Sequence, residues 1–277
     1  MQAPRSIVEA PDREGAVHAA IDEALARAVI YRAIAQGLRL PAAEGERSVF
    51  HPAGRAALAE AAAFVDARRP EGESLLSAVA ALRARSGEAT DPQTAHSRLF
   101  GHSRGLVCPF ETEYGPDGAF RQPQELADIA GYYLAFGLRP TAGADERVDH
   151  AACECEFMEF LARKEAFALG SWPAAADEPE SAEWLDTIQG AARRFLREHL
   201  GRFGRAFASL LTKEDAEGFH GALGAVLFRF LGKECQRFGL PAGPPTLELQ
   251  PPLADDTPMA CGRPEAELIQ IQRRPRP

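Results

Sequence analysis

An all-α fold is what this sequence predicts, and three observations carry that reading. Alanine is abundant and β-branched residues are sparse, so intrinsic propensity favours helix. Apolar residues recur at three- and four-residue spacing in successive segments, the pattern of helices with one buried stripe. Alternation of polar and apolar residues is confined to two short pieces near the C-terminus, Thr246–Gln250 and Leu268–Gln272. Together they predict a single-domain bundle of about eight to ten helices over residues 16–240. A disordered N-terminus (1–15) and a Pro-rich, irregular, extended C-terminal tail (241–277) are expected to flank it.

The first helix is expected from Ala16 to about Leu40, with Ile21, Leu25, Val29, Ile34 and Leu38 on its stripe, stopped before Pro41. Pro52 suits a first-turn position, because its missing N–H would have no partner there, and opens a helix to about Arg69. Leu75, Leu76, Val79 and Leu82 make a third helix that ends at Gly87. Asp91-Pro92 reads as cap and first turn of a short helix ending at Leu99-Phe100-Gly101. A loop of about twenty residues then runs to Gln122, and loops of that length in compact domains usually carry function. Pro123 opens the next helix, which Gly137 ends. Asp149 reads as the cap of the helix after it, with His150 in the first turn and Cys153, Phe157, Phe160, Leu161 and Phe167 on the buried stripe. Ser181 caps a helix through Phe195 and His199, with a bend at Gly201 and Gly204. Thr212-Lys-Glu-Asp215 resembles a capping box before a long helix from Phe219 to Phe238.

Composition excludes several function classes. A net charge of −9 with no basic stripe argues against a nucleic-acid partner. No apolar run approaches the roughly 18–20 residues that span a bilayer, and the first residues lack the apolar core of a secretory signal, so a cytoplasmic location is expected. Five cysteines at irregular spacing fit reduced thiols. Phosphate-binding glycine loops, zinc-protease patterns and nucleophile elbows are missing from the sequence, and so is every asparagine. His150, Cys153 and Glu154 share a helix face, yet a zinc site needs a second ligand hub. Cys153 is more simply an apolar filler. No cofactor, no metal and no catalysis are therefore expected.

The informative stretch lies between Glu111 and Glu159, where eleven acids face three bases for a net charge of −8. Phe110, Tyr114, Phe120, Tyr132, Tyr133 and Phe136 are threaded around those acids. Such a surface suits a peptide both basic and apolar. The alternative is that the acids solvate the outer faces of two ordinary helices. Asp149-His150 likewise reads either as a titratable pair or as a cap with a solvated neighbour.

These residues carry a resemblance. Leu99-Phe100-Gly101, Cys108-Pro-Phe-Glu-Thr-Glu-Tyr114, Leu126-Ala-Asp-Ile-Ala-Gly-Tyr-Tyr133, Asp149-His150 and Glu156-Phe-Met158 follow one another at the spacing of the TorD/DmsD/NarJ family. Phe195-Leu-Arg-Glu-His-Leu200 resembles the family's His-Leu segment. Cys108-Pro109-Phe110 stands where Pro-Pro-Tyr is common, and His96 where an aromatic is common. Within the family the chain is most similar to chaperones of type II dimethyl-sulfoxide-reductase-class enzymes. The resemblance implies an all-helical, non-enzymatic chaperone. It would bind the twin-arginine signal peptide of a molybdenum oxidoreductase catalytic subunit precursor and hold that subunit until its cofactor is inserted. The contact residues it implies are Leu99, Phe100, Pro109, Phe110, Glu111, Tyr114, Asp149 and His150. To a guanidinium, Glu111, Glu113, Asp149 and Glu154 would offer carboxylates in fork geometry. A monomer or a homodimer swapped at the 171–180 hinge is expected. The rival readings are a module handling the molybdenum cofactor or a guanine nucleotide, and a small-molecule enzyme using Asp149 and His150.

Overall fold

A computed structural model describes residues 10–40, 48–85, 92–101, 105–115, 118–139, 147–171 and 179–250. Among them nine α-helices form one bundle: α1 (Ala10–Leu38), α2 (Pro52–Arg68), α3 (Leu75–Arg85), α4 (Pro92–Phe100), α5 (Gly118–Ala135), α6 (Ala151–Ser171), α7 (Pro179–Glu198), α8 (Leu200–Glu214) and α9 (Phe219–Arg237). A turn of 3-10 helix, Glu111–Glu113, interrupts the connection between α4 and α5. The described residues pair as β structure only at two isolated bridges, Phe110 with His150 and Tyr114 with Leu249.

The bundle is built around α1 and α6, which pack along each other, with α9 bridging α1, α3 and α8. From Ala24 to Leu38, α1 is buried on most sides, which its small residues permit; only Leu25 among its large apolar side chains points out, at 43 % exposure. Gly37 sits where a Cβ would come 2.6 Å from the Leu223 side chain, so α1 and α9 touch nearly backbone to side chain. A second layer is aromatic. Phe157 on α6 meets Phe195 on α7 at 4.8 Å and Tyr133 on α5 at 5.0 Å, in the tilted or edge-on geometries that ring quadrupoles favour.

At the centre of the bundle lies a buried ionic network. Arg27 donates to Glu165 (2.9 Å) and to Glu234 (3.3 Å), and the Tyr31 hydroxyl donates to Glu234 (2.9 Å). Gln189 and Arg237 complete the partners of Glu165. Burial works against the Arg27 charge, yet the Glu234 and Glu165 carboxylates hold its pKa above the ordinary value. The network ties α1, α6, α7 and α9 into one orientation.

Several boundaries differ from the sequence reading, each for a local reason. Helix α1 starts at Ala10, so residues 10–15 are helical and not disordered; Pro11, Asp12 and Glu14 all suit a first turn. Helix α5 begins at Gly118, ahead of Pro123, which sits inside it. A proline near a helix start forfeits one hydrogen bond without stopping the turn before it. Gly137 ends α5 as read, at φ +74°, with Leu138 N–H donating to Tyr133 O and Gly137 N–H to Leu134 O. Ser181 does not cap α7, which starts at Pro179, and the break before α8 falls at His199 and not at Gly201 or Gly204. Thr212 is no capping residue either: it lies in α8, its hydroxyl donates back to Ala208 O, and Asp215 alone accepts from His220 and Gly221 N–H at the start of α9. Phe167 is 70 % exposed, not on the buried face of α6. The expectations for Asp91, for the 172–178 part of the hinge and for residues 251–277 lie outside the described residues.

Replacing Arg27 with methionine strands two buried carboxylates. Arg27→Met is expected to lower the unfolding free energy by about 3–5 kcal/mol in a urea titration. A loss below about 1 kcal/mol would show that the remaining partners satisfy both acids.

Candidate functional site

The connection from α4 to α5 folds back on the segment that leads into α6. Gly105 makes the turn possible, since a Cβ there would meet Leu99 O at 2.2 Å, and Val107 N–H then donates to that same carbonyl. Ala151 N–H donates to Pro109 O (2.8 Å) and Glu111 N–H to Asp149 O (2.9 Å), which locks residues 109–111 against 149–151. Tyr114 and Tyr133 pin the two pieces from beneath, their hydroxyls donating to Cys108 O and Val148 O.

Asp149 holds the centre. Its carboxylate accepts from Arg147 Nε (3.0 Å) and Nη2 (2.8 Å) in a fork, and from Thr112 Oγ1 (2.8 Å) and N–H (3.2 Å). Arg147 also donates to Glu113 Oε1 (3.1 Å), and its guanidinium lies 4.4 Å over the Phe110 ring. Gln122 from α5 donates to Thr112 Oγ1 and Glu113 Oε1.

Asp149 is not the cap of α6. His150 occupies that position: its carbonyl accepts from Glu154 N–H, and its Nδ1 accepts from Ala152 N–H at 3.0 Å. An imidazole accepting at Nδ1 is neutral, and burial, with Arg39 nearby, lowers the His150 pKa to about 3.

Behind this layer sits a pair of carboxyl groups. Glu154 is fully buried and Glu111 is 2 % exposed. Read as bare carboxylates, both Glu154 oxygens and Glu111 Oε1 lack a donor. One proton pairs two of them, a Glu154 O–H donating to Glu111 Oε1: burial first, and then the Glu111 carboxylate hydrogen-bonded to it, push the Glu154 pKa well up, so Glu154 is held protonated. The second Glu111 oxygen faces His199 Nδ1 (3.1 Å), and His199 Nε2 faces Asp128 on α5 (3.2 Å).

On the outer side of the loop is a recess of about 320 Å³ lined by Phe100, Val107, Pro109, Phe110, Glu113 and Leu249 among others. Of the ten residues implied by the sequence, Phe100, Pro109, Phe110 and Glu113 line this recess. Leu99, Glu111, Tyr114, Asp149, His150 and Glu154 are buried, and Glu111 and Tyr114 border a second recess of about 410 Å³ against α8. The structure thus gathers all ten into one region, but it corrects the picture of four carboxylates offered to solvent: only Glu113, with its side chain 25 % exposed, is open. Arg147, Thr112 and His199 were missed as site residues. Arg147 is brought back onto Asp149 by a turn in which His150 N–H donates to Arg147 O, which periodicity does not reveal. No group of three His, Cys, Asp or Glu among the described residues is disposed to hold a metal. No described helix is long and apolar enough to cross a membrane.

A loop pinned by an Asp-Arg fork and ending on an aromatic recess is the part of the fold that a family comparison must account for. Residues 55–209, more than half of the chain, match the nitrate reductase delta subunit family and contain the loop, the Asp-Arg fork and the carboxyl pair of this site, though not Leu249. The chain belongs to that family. Its members are maturation chaperones for molybdenum enzymes and not catalysts, so this delta-type protein is a chaperone that binds a molybdoenzyme catalytic subunit. A comparison with curated proteins returns no match.

The protonated Glu154 of this chaperone sets a pH dependence. A carboxyl group whose folded pKa is raised makes the folded state bind more protons than the unfolded one, so stability falls as pH rises above the ordinary carboxylate range. Glu154→Gln, which keeps a donor for Glu111, is therefore expected to raise Tm at pH 7 and to leave it nearly unchanged at about pH 4. A Tm gain equal at both pH values, or a loss at pH 7, would contradict a protonated Glu154.

Proposed function

We propose that this chaperone binds the twin-arginine signal peptide of its client's catalytic subunit at the recess. The apolar part of the leader inserts between Phe100, Pro109 and Phe110, and the arginines lie along the adjoining acids. The observation that carries the reading is the recess itself: an opening lined with rings and aliphatic groups, of a size that suits two or three side chains, with the partly exposed Glu113 carboxylate and its partner Arg147 on its wall. Glu113 is tied through Gln122 to α5, and Asp128, whose side chain is 61 % exposed, follows about 9 Å further along that helix.

The six buried residues act as support. Asp149 fixes Arg147 and Thr112, the Glu111–Glu154 pair and His199 brace the loop from behind, and Leu99, Tyr114 and His150 hold its ends. Charge on the rim governs encounter and salt dependence, while the buried anchors govern lifetime. The string from Cys108 to Gly115, with the Leu126–Tyr133 segment and Asp149-His150, supports a client of the type II dimethyl-sulfoxide-reductase class. Support for a nucleotide-handling module is weaker. Another recess, about 570 Å³, carries cations, but Arg229 is paired with Glu73 and Lys233 with Asp66.

Calorimetry with a synthetic leader, two adjacent arginines followed by leucines and alanines, tests the reading. Phe110→Ala is expected to weaken binding about tenfold or more by removing a buried ring. Glu113→Gln is expected to weaken it a few-fold and to flatten its salt dependence. Unchanged affinity in both, with the helical spectrum intact, would place the leader elsewhere.

A further inference from the structure

We propose that the recess is also a docking site for this chain's own C-terminal segment 268–276, which occupies it in cis until a client leader displaces it. The inference rests on the recess being the leader site and adds a regulator to it.

Four observations converge. The chain leaves the described body at the mouth of the recess: residues 246–250 lie extended on the 112–115 loop, and Leu249 and Gln250 line the opening. Gly115 N–H donates to Glu248 O, Gln250 N–H to Glu113 O and Gln250 Nε2 to Thr112 O, each at 2.9 Å. This short piece already adds backbone to the loop as a bound peptide strand would.

Secondly, segment 268–276 reads Leu-Ile-Gln-Ile-Gln-Arg-Arg-Pro-Arg, with three aliphatic residues beside three arginines and no acid. An apolar block next to paired arginines is the chemistry proposed for the leader, in reversed order. Thirdly, Phe100, Val107, Pro109 and Phe110 offer an apolar complement to Leu268, Ile269 and Ile271, and Glu113, which shares the wall with its partner Arg147, is the carboxylate within reach of the arginines. Fourthly, the seventeen residues 251–267 can span on the order of 55 Å when extended, far more than the recess requires. Tethering raises the local concentration of such a segment into the millimolar range, so even weak contacts occupy the site. A leader then binds with an affinity reduced by the fraction of recess left free.

The test uses the full-length chain and a variant with Ile269→Asp, Ile271→Asp, Arg273→Glu and Arg274→Glu, changes outside the helical body. Hydrogen exchange is followed at amides 105–114, and the synthetic leader is titrated into both proteins. Exchange at these amides is expected to be several-fold faster in the variant, and leader affinity about tenfold higher. Adding the free 266–277 peptide to the variant should restore the slow exchange. Equal exchange in both proteins, with leader binding still sensitive to Phe110→Ala, would overturn the cis docking and leave the leader site standing. Faster exchange in the variant without any leader binding would support the docked segment and remove the leader reading instead.

Discussion

The fork from Arg147 to Asp149 is the contact on which the functional end of this molecule depends. A buried carboxylate needs its charge balanced and its lone pairs filled, and Asp149 achieves both with one guanidinium and one threonine. That geometry draws the segment before α6 against the 110–113 turn. It also lays Arg147 over the Phe110 ring, so the wall of the recess and its one open carboxylate are set by the same interaction. Removing Asp149 would release Arg147 and Thr112 together, which makes it a residue that shapes the surface without being part of it.

Two buried polar assemblies divide the work of the bundle. The network of Arg27 and Arg237 with Glu165 and Glu234 is charged and balanced, and fixes how α1, α6 and α9 cross. The Glu111 and Glu154 pair is balanced by a proton instead, next to His199 and within the hydrogen-bonded layer under the recess. An ionic core resists pH over the neutral range, whereas a proton-shared pair responds to it.

Much of the fold was legible because three- and four-residue spacing survives any local detail: Val79 and Leu82, Ile129 and Tyr133, Leu223 and Leu227 are all buried as their periodicity required. Boundaries were harder. A capping residue contributes only about 1 kcal/mol, so Ser181 and Thr212 gave way to the packing of α7 and α8. Within the site, Phe110 stood out as a loop aromatic and Asp149 as an acid beside a histidine at an expected helix start. The burial of Glu111 and Glu154 was invisible, because a sequence writes a protonated carboxyl and a solvated carboxylate with the same letter. Arg147 was hidden in a charge count dominated by acids.

The central claim is that the leader enters the recess formed by the 105–115 loop. Methyl and aromatic NMR shifts recorded while the synthetic leader is titrated into the full chain test it most directly. The account predicts the largest changes at Phe100, Val107, Phe110 and Leu249. Changes confined to the exposed Phe167 and Trp184, with the recess silent, would contradict it.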